Sequence, residues 1–431
     1  MEKFIIPASA RTWVNVPAGH DFPIQNLPFV QGERDNGEDV VGVAIGDYIL
    51  DLVACVNAEL IELDDQSSWL NEASHDDEPW DICDLLANPS ASDVREVRQI
   101  AFDLLQAGNE KLQRHPARDQ ILLHRNEVSL HSPSFLGAFV DFYSGIHHAS
   151  NVGKMFRPDQ PPLLPNYRHV PIGYNGRASS VVLSGSEIVR PRGILKPAEG
   201  DPFFGPTQEL DFELEMGFFA GLSTDMGQAI DIHDAEDHIA GMVIVNDWSA
   251  RDIQRFEYVP LGPFLAKSFA TSITAHLVSL DALEPFRIDG MPQEPVPLEH
   301  LRNPGPSHFD IQLEVLLKTD RMKEPQVVCR SNTKHLYWSM AQQLTHQASN
   351  GTPIESGDLY ASGTISGPDA GGEGSMLELS WRGQRPITLT ETGETRTFLE
   401  DGDTVIMRAW AEGDGYRIGF GECAGTVVEA E

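Results

Sequence analysis

Leu210-Asp211-Phe212-Glu213-Leu214-Glu215-Met216 decides how this chain folds. Read as a β-strand, its period of two puts Leu210, Phe212, Leu214 and Met216 on one face and Asp211, Glu213 and Glu215 on the other. Four large apolar residues in a row belong against a core. Three carboxylates two residues apart repel one another unless positive charge sits among them. A hard divalent cation on oxygen ligands answers that need. A solvated acidic face on an edge strand would carry the same letters.

The rest of the chain limits what such a strand can serve. At 431 residues it is long enough for two or more domains, and 41% apolar with 8% aromatic residues is a globular composition. A net charge of −34 makes its surface a poor partner for nucleic acid or an anionic membrane. An anionic substrate then needs a local basic pocket. Cys55, Cys83, Cys329 and Cys423 form no CxxC pair, which suits a reducing, cytoplasmic setting. The first ten residues have no apolar stretch of signal-peptide length, and no apolar run approaches the roughly 20 residues of a membrane helix.

The first 132 residues differ in texture from residues 133–431. Val40-Val-Gly-Val-Ala-Ile-Gly-Asp-Tyr-Ile-Leu-Asp-Leu52 reads as two strands around a Gly46-Asp47 turn. Residues 62–81 are acidic and loop-like, and 94–112 have helical spacing, so a small β-rich domain closed by one or two helices is expected. Beyond it lie strand candidates at 178–183, 209–219, 241–246, 309–317, 375–380 and 404–409, with helices at 234–239 and 336–344. Strands and helices do not alternate regularly, which favours a mixed β-roll over a doubly wound sheet.

Four further segments carry chemistry. In Asn246-Asp-Trp-Ser-Ala-Arg-Asp-Ile-Gln254 an apolar strand ends and a helix starts, with Asp247 a candidate N-cap. Arg251 and Gln254 follow at i+4 and i+7, on one helical face with Asp247. Asp141-Phe-Tyr-Ser-Gly-Ile-His-His148 adds a carboxylate, a tyrosine hydroxyl and two adjacent histidines, either of which could act as a general base. Lys267 stands in an apolar Pro/Gly loop where an unpaired ammonium is costly to bury. Ser362-Gly-Thr-Ile-Ser-Gly-Pro368 has glycines that can free backbone N–H groups for an anion.

Together with Asp21-Phe-Pro-Ile-Gln-Asn-Leu-Pro28, Gly173-Tyr-Asn-Gly-Arg-Ala-Ser-Ser180 and Gly413-Asp-Gly-Tyr-Arg-Ile-Gly-Phe-Gly-Glu-Cys-Ala-Gly425, these segments resemble the fumarylacetoacetase family over nearly the whole chain. The resemblance implies a mainly β (α+β) protein with an SH3-like N-terminal barrel (1–132), a catalytic β-roll (133–431) and a homodimeric assembly. It implies hydrolysis of the carbon–carbon bond of a dianionic diketo acid, 4-fumarylacetoacetate. Ca²⁺ would be held by Asp141, Glu213, Glu215 and Asp247, and Mg²⁺ near Asp247, Lys267 and Thr271. His148 would activate water, oriented by Glu378, with Arg251, Gln254 and Lys267 stabilising an oxyanion. Tyr143, Arg157, Tyr174, Gln254, Tyr258 and Thr364 would contact substrate. His148 is preferred over His147 because Ala149-Ser-Asn-Val-Gly153 follows it as in the family.

Overall fold

The computed structural model describes residues 3–61, 92–134 and 136–430; the acidic loop expected at 62–81 lies outside them. Among these residues three large sheets carry a mainly β fold. The N-terminal one has five antiparallel strands in the order Leu122–His124, Tyr48–Asp51, Asp39–Ile45, Phe29–Arg34, Val128–Leu130. Its hairpin turns at Gly46-Asp47, with Ile45 opposite Tyr48, as the alternation there predicts. The helix Ser92–Leu105 packs on it through Val97, Ala101, Leu104 and Leu105.

The central sheet has seven strands, in the order Gly173–Asn175, Phe139–Phe142, Leu359–Ala361, Leu214–Ala220, Ile239–Asn246, Thr271–Ile273, Val181–Leu183. Two of its pairings are parallel and the rest antiparallel, so the roll is mixed. A third sheet runs Gln326–Asn332, Gln312–Lys318, Thr404–Glu412, Arg417–Val428, Glu187–Val189.

The stretch 210–216 is fully buried at the heart of this arrangement. Leu210, Phe212, Leu214, Met216 and Phe218 share one core with Leu313, Val315, Met407 and Phe420 of the third sheet. Phe219, Val243 and Val245 face the other way, into a core shared with Phe29, Val41 and Leu104. Burying each large apolar side chain contributes roughly 1.5–3 kcal/mol, and that offsets the cost of keeping the carboxylates between them out of water. A solvated edge is therefore excluded: Leu214–Ala220 has hydrogen-bonded neighbours on both sides. The strand is interrupted, however. Leu210–Asp211 pairs with Ser249–Ala250, Glu213 makes a lone bridge to Ser375, and regular pairing resumes at Leu214.

Four expected elements differ. The strand expected at 178–183 covers only Val181–Leu183, after a 3₁₀ turn at Ala178–Ser180. Residues 375–380 form the short helix Met376–Leu379, because Ser375 accepts from the Glu378 N–H and Asp211 accepts from the N–H groups of Met376 and Leu377. The helix expected from Leu336 starts at Met340, where a Ser339–Gln342 capping box holds it. Residues 234–239 contain one 3₁₀ turn, Ala235–His238.

Candidate active site

Strand register brings the acidic residues together. Asp141 pairs with Ala361, which pairs with Gly217, and Glu215 lies opposite Val245, two residues before Asp247. Asp141, Glu215 and Asp247 thus converge, one carboxylate oxygen from each lying within 4.8 Å of the others, all buried. Asp141 Oδ2 accepts from Tyr174 Oη at 2.7 Å, and Glu215 Oε2 accepts from Gly363 N–H at 2.9 Å. Gly363 has φ 77°, and a Cβ there would lie 2.3 Å from the Phe142 carbonyl, so glycine is what allows this approach. The glycine loop therefore presents its N–H to a protein carboxylate. Asp141 Oδ1 and Glu215 Oε1, by contrast, are buried without a partner among the described residues. Burial and the neighbouring Asp247 push the Asp141 carboxyl up to about 7. Burial and the neighbouring Asp141 drive Glu215 well above the usual carboxylate range. Bare oxygens on crowded, buried carboxylates fit a hard cation.

Glu213 lies beside this group, between cations. It accepts from Arg251 Nη2 at 2.7 Å and from Lys267 Nζ. Burial alone would raise its pKa, but Lys267 and Arg251 more than offset that and hold it below the usual range. Asp247 is held ionised in the same way, burial being outweighed by Arg177 and Lys267. Lys267 Nζ donates to Asp247 Oδ2 at 2.6 Å, so the buried ammonium has the functional neighbours its loop implies. Asp247 is not an N-cap: the helix Arg251–Glu257 starts four residues later, after Ala250. Its Oδ1 accepts from Thr271 Oγ1 at 3.0 Å and from Arg177 Nη1. Arg251 also donates to Asp211 and, at 3.1 Å, to Gln254 Oε1. Asp211 is thus a strut between Arg251 and the Met376–Leu379 helix.

That helix carries Glu378, whose carboxylate accepts from His148 Nδ1 at 2.6 Å. Asn151 Nδ2, Ser366 Oγ and Ser375 Oγ also donate to it, each at 2.9 Å. Burial raises the Glu378 pKa, but His148 and these donors lower it further, so it is a carboxylate and the imidazole proton sits on Nδ1. His148 Nε2 then has a free lone pair, 3.9 Å from Glu213 Oε1. The helix Ile146–Phe156 places His148 and Asn151 one turn apart on the same side. His147 points elsewhere and packs edge-on against His335 at 5.7 Å.

A cavity of about 300 Å³ joins these groups. Asp141, Tyr143, His148, Arg157, Tyr174, Glu213, Glu215, Arg251, Gln254, Tyr258, Lys267 and Thr364 all line it. The other expected site residues do not line it: Glu378 is bonded to His148, Asp247 to Lys267, and Thr271 to Asp247. Sequence reasoning passed over Arg177, Asn151, Ser366 and Ser375. For Arg177 the available signal was the Gly176-Arg177 turn beside Tyr174, and for Ser375 its place three residues before Glu378, at capping distance; Ser366 and Asn151 meet Glu378 from 12 and 227 residues away.

Residues 138–428 match the family model described as fumarylacetoacetate (FAA) hydrolase C-terminal, and residues 25–133 the one described as fumarylacetoacetase N-terminal. The chain is 46% identical over 422 residues to the fumarylacetoacetase of Rattus norvegicus, covering 97% of this chain and 99% of that protein. It is 44% identical to the fumarylacetoacetase of Homo sapiens, with 97% and 99% coverage, and 42% identical to that of Oryza sativa, with 97% of each chain covered. With both models matched and the buried carboxylates in place, this chain belongs to the fumarylacetoacetate hydrolase family.

Proposed function

We propose that this chain hydrolyses the carbon–carbon bond of 4-fumarylacetoacetate to fumarate and acetoacetate, the last step of tyrosine and phenylalanine breakdown. The single observation that carries this is one cavity holding both a Glu378-oriented His148 and a partly unpaired, buried carboxylate cluster. The full-length likeness to fumarylacetoacetases supports it.

Asp141, Glu213, Glu215 and Asp247 would hold Ca²⁺, and Asp247, the Lys267 carbonyl and Thr271 would hold Mg²⁺. A divalent cation supplies Lewis-acid stabilisation of negative charge on diketone oxygens. His148 Nε2 takes a proton from water, whose oxygen attacks the adjacent carbonyl, while Glu378 holds the imidazole in position and stabilises its charged form. Arg251, Lys267 and the Gln254 amide, whose Oε1 is occupied by Arg251, direct donors toward the developing oxyanion. One such donor is worth roughly 2.7–4 kcal/mol. The carbon–carbon bond then breaks, its electron pair leaving on the acetoacetate carbon, which receives the proton His148 took from water. Arg157, whose Nε has no partner among the described residues, and Tyr143, Tyr174, Tyr258 and Thr364 hold the substrate.

The five-stranded N-terminal sheet supports an SH3-like unit over 1–132 ahead of a catalytic roll over 133–431. Exposed apolar side chains in the segment between the cavity-lining Tyr258 and Lys267, Val259, Leu261 and Phe264, support a homodimer. Buried free thiols at Cys55, Cys329 and Cys423 are in keeping with the cytoplasm.

Loss of diketone absorbance on adding 4-fumarylacetoacetate, with and without chelator, tests the proposal. Activity is expected to collapse with chelator and in His148→Ala, and to survive in His147→Ala. Preference for an acylpyruvate, or equal loss in both histidine variants, would overturn it.

A further inference from the structure

Arg177 follows Gly176 (φ 124°) and itself sits at φ 75°, ψ 11°, backbone that L side chains rarely adopt. The turn carries its side chain inward, where the guanidinium lies 4.7 Å from the Phe139 ring centroid and 5.0 Å from that of Tyr174. From there it forks. Nη1 donates to Asp247 Oδ1 at 2.5 Å and to the Lys267 carbonyl at 3.4 Å, and Nη2 donates to Asp141 Oδ2 at 2.9 Å. Tyr174 Oη donates to the same Asp141 oxygen.

One oxygen of Asp141 is therefore saturated, and the other, Oδ1, is bare, as is Oε1 of the neighbouring Glu215, among the described residues.

We propose that Arg177 is a positioning residue for the cation site: its rigid fork sets the spacing of Asp141 and Asp247 and, by occupying Asp141 Oδ2, leaves Asp141 Oδ1 free for the ion. This rests on the cation reading given above. Lysine cannot replace it, because a single ammonium cannot bridge two carboxylates at fixed spacing. A guanidinium that merely competed with the metal would make the opposite prediction, since its removal would tighten binding.

The full-length protein, stripped with chelator, is titrated with Ca²⁺ by calorimetry and with Tb³⁺ by luminescence, alongside thermal melts. Arg177→Lys and Arg177→Gln are expected to weaken metal binding by about 10–100-fold, the usual effect of losing a group that orients a ligand. Unchanged or tighter binding in a variant that melts like the parent overturns the proposal. Should both variants fail to fold, Phe139→Leu removes the ring beneath the guanidinium; it is expected to weaken binding several-fold, and unchanged affinity again overturns the proposal. Glu215→Gln separates the two ideas. If it binds metal like the parent protein, the cation reading itself fails; if it loses binding while Arg177→Lys does not, only the role of Arg177 fails.

Discussion

Replacing Glu378 with glutamine keeps the shape of the side chain and removes its charge. The carboxylate oxygen lies 2.6 Å from His148 Nδ1, so the imidazolium that forms when His148 takes a proton from water is stabilised at close range. Two unit charges about 4 Å apart at an effective dielectric near 20 interact by about 4 kcal/mol, worth about 10³ in rate. The glutamine also offers one acceptor oxygen where the carboxylate takes four donors, His148, Asn151, Ser366 and Ser375. Its amide hydrogens can turn toward Nδ1 and select the wrong tautomer. We expect kcat to fall about 10³-fold, KM to change little, and metal affinity to stay that of the parent protein, because Glu378 is remote from the bare oxygens. Initial rates of diketone loss at saturating metal give kcat and KM, and calorimetry gives the affinity. A folded Glu378→Gln protein keeping more than a tenth of the parent kcat would refute the role given to this pair.

Two other outcomes follow from the structure. Asp141 titrates near 7 in the folded chain against 3.8 for the ordinary carboxyl, so the metal-free fold keeps a proton that the unfolded chain sheds. The metal-free protein should therefore lose stability as pH rises from about 4 to about 7, and added Ca²⁺, which takes the proton's place, should restore more of it at the upper end. Melting temperatures with Ca²⁺ and with chelator at pH 5.5, 6.5 and 7.5 should diverge as pH rises; a gap widest at pH 5.5 would contradict this. Leu261, 97% exposed, lies with the exposed Val259 and Phe264 in the segment between the cavity-lining Tyr258 and Lys267. Leu261→Glu should shift the protein toward monomer in light scattering at micromolar concentration, and an unchanged dimer would place the interface elsewhere.

Much of the fold was legible because it follows local rules. The apolar face of 210–216 and the Gly46-Asp47 hairpin are settled by side-chain alternation and turn chemistry, and the structure keeps both. The misread elements are those where a partner remote in sequence decides. Residues 375–380 alternate like a strand, yet Asp211, 165 residues from Met376, satisfies the first N–H groups and starts a helix instead. Asp247 looks like a cap because it precedes a helical pattern, but Arg177 and Lys267 draw it into the cluster. Arg177 itself could not be weighed from letters alone, since its role depends on a left-handed turn and on two carboxylates in separate segments of the chain. His148 could be separated from His147 only by resemblance; the structure separates them by what each ring touches.

The burial of the central strand on both faces also bears on the order in which the molecule assembles. The pairings that surround it join residues as distant as Gly217 and Ala361, contacts of the slow, non-local kind. Repulsion between Glu215 and the carboxylates of Asp141 and Asp247 is therefore felt only once those long loops have closed. A ligand that relieves this repulsion acts on the finished structure and barely touches the barrier on the way in. Its effect should appear in the unfolding arm of a chevron plot, as a longer lifetime of the native state at an almost unchanged folding rate.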